Sequence, residues 1–153
     1  MSGSVDPAVF GEIVLQSTDA IIFSDLDGVI RIWNRGAELI FGHSAAEALG
    51  QSLDLIIPAH LRVAHWQGFR RAVDSGHTKY AGKVMTTRAV HKDGSTLYVD
   101  LSFGLVADGA GGLAGVVATG RDCTERNLAE KALRSKLRNL EMQPAGPAPD
   151  KKD

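Results

Sequence analysis

The segment from residue 96 to residue 106 constrains the fold most, because its side chains alternate between apolar and polar. The apolar members are Leu97, Val99, Leu101, Phe103 and Leu105, and those between them are Tyr98, Asp100, Ser102 and Gly104. Successive side chains of a strand point to opposite faces of its sheet, so the pattern predicts a strand with one buried and one solvated face. Such a strand is typical of an antiparallel sheet that helices cover on one face.

The neighbouring elements predict an α+β domain, a five-stranded antiparallel sheet with helices on one face. β-Branched and aromatic runs, separated by Gly-containing turns, mark strands at 20–24, 29–33, about 82–90, 96–106 and 113–120. Capping residues mark three helices between the second and third strands: one at 35–41 after Asn34, one opened by the capping box at 44–47, and one from Pro58 to near Gly76.

The ends of the chain differ in composition from its middle. The sequence divides into an N-terminal cap helix at 1–18, a central domain at 19–124, a C-terminal helix at 125–142 and a tail at 143–153. Both terminal helices are predicted to be amphipathic, and Leu133, Leu137 and Leu140 keep the 4-3 spacing of a coiled-coil seam. The tail has three of the five prolines and no large apolar residue, so it is predicted to be disordered.

The nearly equal numbers of basic and acidic residues exclude partners that bind through a strong positive electrostatic field. Seventeen Lys and Arg residues face eighteen Asp and Glu residues, so we expect no binding of nucleic acid or of an anionic membrane. No apolar run approaches the roughly 18–20 residues that span a bilayer. The single cysteine, Cys123, cannot form an internal disulfide, which favours a cytoplasmic location.

The turn Asp25-Leu26-Asp27-Gly28 resembles the first motif of haloacid-dehalogenase-type phosphatases. Magnesium-dependent chemistry of that kind needs a lysine and a further acidic cluster at strand ends. No Asp-Asp pair follows Gly28 in the sequence. We therefore interpret the segment as a hairpin turn with Asp at its preferred positions.

His65 is the histidine whose position indicates a special environment. It lies between Leu61 and Phe69 on the apolar stripe of the helix that begins at Pro58. A buried imidazole without partners for its ring nitrogens costs roughly 1–3 kcal/mol. Two interpretations follow, and the pattern favours the first: a hydrogen bond within the core, or ligation of a metal in an apolar pocket, as at a haem site.

Several segments, taken in order, resemble a PAS domain. They are Asp25-Leu26-Asp27-Gly28 with Ile32-Trp33-Asn34, then Ala37–Ser44, Glu47-Ala48-Leu49-Gly50, Lys92-Asp93-Gly94-Ser95 and Gly120–Arg126. The resemblance covers about residues 10–135 and implies a sensory or interaction module rather than an enzyme. It also implies a homodimer that forms through the flanking helices.

Ile57-Pro58, followed by Arg62 and His65, resembles the haem-binding PAS domains of FixL-type oxygen-sensor kinases and of direct-oxygen-sensor phosphodiesterases. In both, the proximal histidine follows that proline by seven residues, so the resemblance implies haem b with His65 as its proximal ligand. The other implied haem contacts are Phe69 on the same helix, Arg71 and Lys79 near the propionates, and Leu101 and Phe103 as an apolar distal wall.

The distal strand departs from both types. Met85 stands where FixL-type domains have an arginine, and Lys83 stands where the phosphodiesterases have a methionine. Met85 is a candidate sixth ligand of ferrous iron, and Lys83 is a weaker one because a neutral amine needs a large pKa shift. Met85 faces inward if a five-residue hairpin loop pairs it with Leu101, and outward if a two-residue turn shifts the pairing by one. The resemblance favours the five-residue loop.

The resemblance thus implies a haem b sensor that responds to O2, CO, NO or redox state and passes the change to the C-terminal helix. Its effector would be a histidine kinase, a cyclase or another regulator, acting in trans or within a longer protein. The alternative is a haem-free PAS domain that serves as a dimerisation module or binds a flavin or an apolar metabolite. The segment Asn-Cys-Arg-Phe-Leu-Gln of photoactive flavin PAS domains is absent, which disfavours a flavin.

Overall fold

A computed structural model describes residues 3–143. Its strands are β1 (Ala20–Asp25), β2 (Ile30–Trp33), β3 (Met85–Val90), β4 (Thr96–Ala107) and β5 (Leu113–Asp122), and its α-helices are α1 (Pro7–Gln16), α2 (Arg35–Phe41), α3 (Ala45–Ala48), α4 (Arg62–Ser75) and α5 (Thr124–Glu141). Two 3-10 helices, Leu53–Ile56 and Ala59–Leu61, precede α4. The predicted α+β class is confirmed. The predicted tail beyond residue 143 lies outside the described residues.

The five strands form one antiparallel sheet in the order β2-β1-β5-β4-β3. The hairpin of β3 and β4 has a five-residue loop, in which Val90 pairs with Thr96 and Met85 pairs with Leu101. Directly opposed residues project from the same face of a sheet. Met85 therefore shares the face of Leu101, which we call the inner face because Leu101 is buried there.

Asn34 joins α1, β1 and α2 at one side of the domain. Its Oδ1 accepts hydrogen bonds from the backbone N–H of Ala37 (3.0 Å), which caps α2, and from that of Ile21 in β1 (2.8 Å). Its Nδ2 donates to three backbone carbonyls between residues 14 and 19, at 2.9–3.2 Å. The cap that the sequence predicts for α2 is therefore also the connection between α1 and the sheet.

The apolar core lies between the inner face and the elements α2 and α3. Its buried members are Ala20, Ile22, Ile30, Trp33, Ala37, Phe41, Ala48, Ile56, Ala89, Leu97, Val99 and Leu101. Leu53, Leu55 and Ile57 pack against this cluster from the segment that leads into α4. Helix α4 itself contributes no buried residue, so it lies at the rim of the core.

Two boundaries near α4 differ from the sequence prediction. The strand expected from residue 82 begins only at Met85, because Gly82 has φ +70° and the N–H of Lys83 closes a turn on the carbonyl of Tyr80 (2.9 Å). The helix expected from Pro58 begins as a 3-10 turn, since the N–H of Leu61 bonds to the Pro58 carbonyl three residues earlier (2.9 Å). This spacing is that of a 3-10 turn, whereas the N–H groups of an α-helix bond to the carbonyl four residues earlier.

The chain divides into two compact units, and the boundary in the sequence falls between Cys123 and Thr124. The described part of the second unit consists of α5 and the two residues after it. Helix α5 exposes apolar side chains along its length: Leu128, Leu133, Leu137 and Leu140. The domain boundaries after residues 18, 124 and 142 stay predictions.

Candidate functional site

The side of α4 that carries His65 is apolar and only half-buried. The half-buried side chains of this helix are His65, Trp66, Phe69, Ala72 and Val73. An amphipathic helix in a globular domain normally buries such a stripe against the core. On α4 the other described residues therefore cover this apolar stripe only in part.

The His65 ring lies among aromatic side chains and lacks a polar partner. Its centroid is 4.8 Å from that of Trp66, edge to face, and 6.1 Å from that of Phe69. Among residues 3–143 its buried Nδ1 finds no hydrogen-bond partner. The core hydrogen bond that the sequence favoured is thus not made at Nδ1.

The electrostatic surroundings keep the His65 ring neutral. Burial lowers the pKa of His65, and this effect outweighs the nearby Asp54 carboxylate, which acts in the opposite direction. Neutral imidazole, with a lone pair on one nitrogen, is the form that ligates metals. His65 is therefore a neutral donor whose Nδ1 the described protein atoms leave unsatisfied.

The predicted distal residues fall into two groups. Leu101 belongs to the core, Phe103 packs against it, and the half-buried Met85 shares the same inner face. Lys83 precedes β3 in a turn and is exposed. The structure brings Met85 together with the apolar wall and leaves Lys83 apart from it.

The two predicted propionate-binding cations lie on the surface. Arg71 is exposed, and its Nε donates to the Gln67 carbonyl one turn earlier in α4 (3.3 Å). Lys79 is exposed, and its Nζ lies 5.0 Å from the ring centroid of Tyr80. Both cations are engaged by their own neighbours in the chain.

Sequence reasoning missed Trp66 and Asp54, which stand beside His65. The indole Nε1 of Trp66 donates to Asp54 Oδ1 at 2.8 Å, and the guanidinium Nε of Arg62 lies 3.8 Å from the same oxygen. The indole also lies against Gly28 in the β1–β2 turn. No periodic pattern links positions 28, 54 and 66, so only the adjacency of Trp66 to His65 could have drawn attention to it.

The donor set bears on which metal these residues fit. Within residues 3–143 no three His, Cys, Asp or Glu side chains come together as a metal-binding group. A metal at His65 would need to bring most of its own ligands, as haem iron does with its porphyrin nitrogens. A neutral histidine on the apolar side of α4, in a domain whose inner sheet face is also apolar, fits haem in this respect.

A comparison with protein families matches residues 14–128 to the model described as PAS fold. This range contains all five strands together with α2, α3 and α4. The chain belongs to the PAS family. The resemblance inferred from the sequence is confirmed, as is the fold that it implied.

Three curated proteins are similar in sequence to this PAS chain. An uncharacterized protein of Azorhizobium caulinodans is 33% identical over 132 residues, which are 86% of this chain and 18% of that protein. Sensor protein FixL of Bradyrhizobium diazoefficiens is 31% identical over 93 residues (60% and 18%). Oxygen sensor protein DosP of Escherichia coli is 25% identical over 104 residues (68% and 12%). The PAS chain thus spans less than a fifth of each relative.

Solved structures show the same fold at low sequence identity. The PAS domain of a Colwellia psychrerythraea protein matches with a TM-score of 0.67 and 24% identity, covering 77% of this chain and 97% of that one. A light-oxygen-voltage domain studied with a flavin analogue matches with a TM-score of 0.58 and 17% identity, covering 86% and 96%. Of the helices described in this PAS chain, none has the length and apolar character needed to cross a bilayer.

Proposed function

We propose that this PAS domain is a sensor that binds haem b through His65 and responds to O2, CO, NO or redox state. The observation that carries the proposal is the buried, unpartnered Nδ1 of a neutral His65 on the half-buried apolar side of α4. The resemblance of Pro58, Arg62 and His65 to haem-binding PAS domains supports the same assignment. Two relatives, FixL and DosP, are named as sensors.

The chain's own residues have distinct tasks in this proposal. Phe69 flanks His65 on α4, and Leu101 and Phe103 form an apolar wall on the inner face that excludes water. Met85, on that face, is the proposed sixth ligand, and the exposed Lys83 is the weaker candidate. Haem, if bound here, would supply an iron centre that can bind a diatomic gas or a thioether.

Arg71 and Lys79 are the proposed partners of the propionates. Both side chains are exposed, and each makes one weak local contact, with the Gln67 carbonyl or the Tyr80 ring. These contacts can be exchanged for a charge-assisted hydrogen bond to a carboxylate, which is stronger.

The proposed output runs through β5, which is followed by α5 after the single residue Cys123. The exposed leucines of α5 are suited to a homodimer contact with a second copy of the helix. We assign no enzymatic activity to the domain itself. A histidine kinase, a cyclase or another regulator would read the change in α5, and a cytoplasmic location remains a prediction.

The test is a hemin titration of the purified apoprotein, followed by absorption spectroscopy. We expect wild type to give a sharp Soret band with an endpoint at one hemin per chain, and His65→Ala to lose it. His60→Ala is the matched control, because His60 is exposed on the preceding 3-10 helix. Equal binding by wild type and His65→Ala would refute the haem assignment.

The second candidate is a haem-free PAS domain that serves as an interaction module or binds a flavin or an apolar metabolite. The half-buried side of α4 favours it as well, because any flat apolar molecule could complete that packing. Titration with FMN and with a medium-chain fatty acid, in parallel with hemin, separates the two candidates. Saturable binding of either one, unaffected by His65→Ala, would support the second.

A further inference from the structure

Trp66 connects α4 to two other parts of the fold that surround His65. Its Nε1 donates to Asp54 Oδ1 at 2.8 Å, which holds the helix to the 3-10 helix Leu53–Ile56, called here the 3-10 segment. Its ring packs edge to face on the neighbouring rings of His65 (4.8 Å) and Phe69 (5.3 Å). The far edge of the indole lies against Gly28, so one side chain contacts the β1–β2 turn, the 3-10 segment and its own helix.

The contact at Gly28 is possible only because that residue has no side chain. A Cβ at Gly28 would overlap Cη2 and Cζ3 of the indole, and the backbone φ of +77° also favours glycine. The Gly28 carbonyl accepts a hydrogen bond from the N–H of Leu53 at 3.0 Å. The β1–β2 turn, the 3-10 segment and Trp66 therefore form a closed set of contacts.

These contacts fix the rotation of α4 about its own axis. Residues 65 and 66 are neighbours, separated by about 100° around the helix, so a fixed direction for one sets the direction of the other. Arg62, one turn earlier on the helix, donates to the carbonyls of Ile57 (3.1 Å) and Asp54 (3.3 Å). Two side chains of the first turns of α4 thus hold the helix at the same short segment.

We infer that Trp66 is a positioning residue for His65: with Asp54 and Gly28 it sets the direction in which α4 presents the imidazole. The part of this inference that concerns hemin depends on the proposed function, whereas the orientation of α4 does not. Trp66 itself need not contact the cofactor. Its side chain acts through the helix that carries His65.

The variant Trp66→Phe keeps a ring on α4 and removes the hydrogen bond to Asp54. Trp33→Phe is its matched control, because the buried Trp33 indole also donates one hydrogen bond, to the His43 carbonyl (2.9 Å), and its ring packs on Phe41 and His43. We expect Trp66→Phe to release hemin to excess apomyoglobin about tenfold faster than wild type, which corresponds to about 1.4 kcal/mol. Trp33→Phe should release hemin at nearly the wild-type rate although it loses more thermal stability.

A second readout uses the apoprotein and needs no haem. The amide hydrogen of Leu53, which bonds to Gly28, should exchange with solvent faster in Trp66→Phe and in Asp54→Ala than in Trp33→Phe. If wild type fails to bind hemin but this exchange responds, the proposed function fails and the positioning of α4 stands. If hemin release and amide exchange in Trp66→Phe match those of the Trp33→Phe control, the inference is wrong.

Discussion

Replacing Asn34 by alanine removes five side-chain hydrogen bonds at a residue that is 1% exposed. The lost N-cap of α2 costs about 1 kcal/mol. The N–H of Ile21 loses its 2.8 Å acceptor in a partly buried site, which costs about 1–3 kcal/mol. Three backbone carbonyls lose the Nδ2 donor, and water replaces only part of that hydrogen bonding. We therefore expect the free energy of unfolding to fall by about 3–5 kcal/mol in total.

The assay is urea unfolding followed by far-UV circular dichroism, with the exposed Asn139→Ala in α5 as the control. Asn34→Asp tests the donor half separately, because it keeps the acceptor Oδ1 and places a carboxylate beside three carbonyl oxygens. We expect this variant to be destabilised as well. A loss below about 1 kcal/mol for Asn34→Ala would refute the assignment of Asn34 as the connection between α1, β1 and α2.

Three further results are expected from single sites. Gly36→Ala should be strongly destabilised, because its Cβ would overlap the backbone carbonyl of Asp19 between α1 and β1. In contrast, a Cβ at Gly11 in α1 meets no atom within 4 Å, so Gly11→Ala should gain about 0.5–1 kcal/mol in urea melts. Burial lowers the pKa of His43, so as the pH drops the unfolded chain is protonated at this histidine before the folded chain is. The free energy of unfolding should therefore fall as the pH drops below about 6.5. His43→Gln should weaken this pH dependence, and an unchanged dependence would contradict the reasoning. The hydrogen bond from Lys92 (2.5 Å), with the capping box, lowers the pKa of Glu47 to about 2. Lys92→Met should raise this pKa in an NMR titration, and an unchanged pKa would contradict the role of Lys92.

The sheet could be predicted from the sequence because its signals are local. The alternation along β4 gives the burial of Leu97, Val99 and Leu101 directly, and the Asp93-Gly94 turn places the hairpin. The register of the β3–β4 hairpin could not be predicted from the residues alone, because a two-residue turn and a five-residue loop both fit them and differ by one position in the pairing. The structure has the five-residue loop, whose first N–H bonds to the carbonyl of Ser95 (2.9 Å).

The surroundings of His65 could be predicted only in part. The helical stripe indicated that His65 lies on an apolar face, and the structure agrees. The contacts of Trp66 with Asp54 and Gly28 join positions 12 and 38 residues apart in the sequence, where no period links them. The start of β3 was misplaced because the β-branched Val84 favours a strand, while Gly82 just before it adopts φ +70°.

The role of His65 is tested most directly by the haem content of the protein purified from cells supplied with a haem precursor, measured as the pyridine haemochrome. Wild type and His60→Ala should carry close to one haem per chain, and His65→Ala should carry almost none. Met85→Leu should retain haem and lose the split visible bands of a six-coordinate ferrous spectrum. Haem content that is the same in wild type and His65→Ala would contradict the assignment of His65 as the proximal ligand.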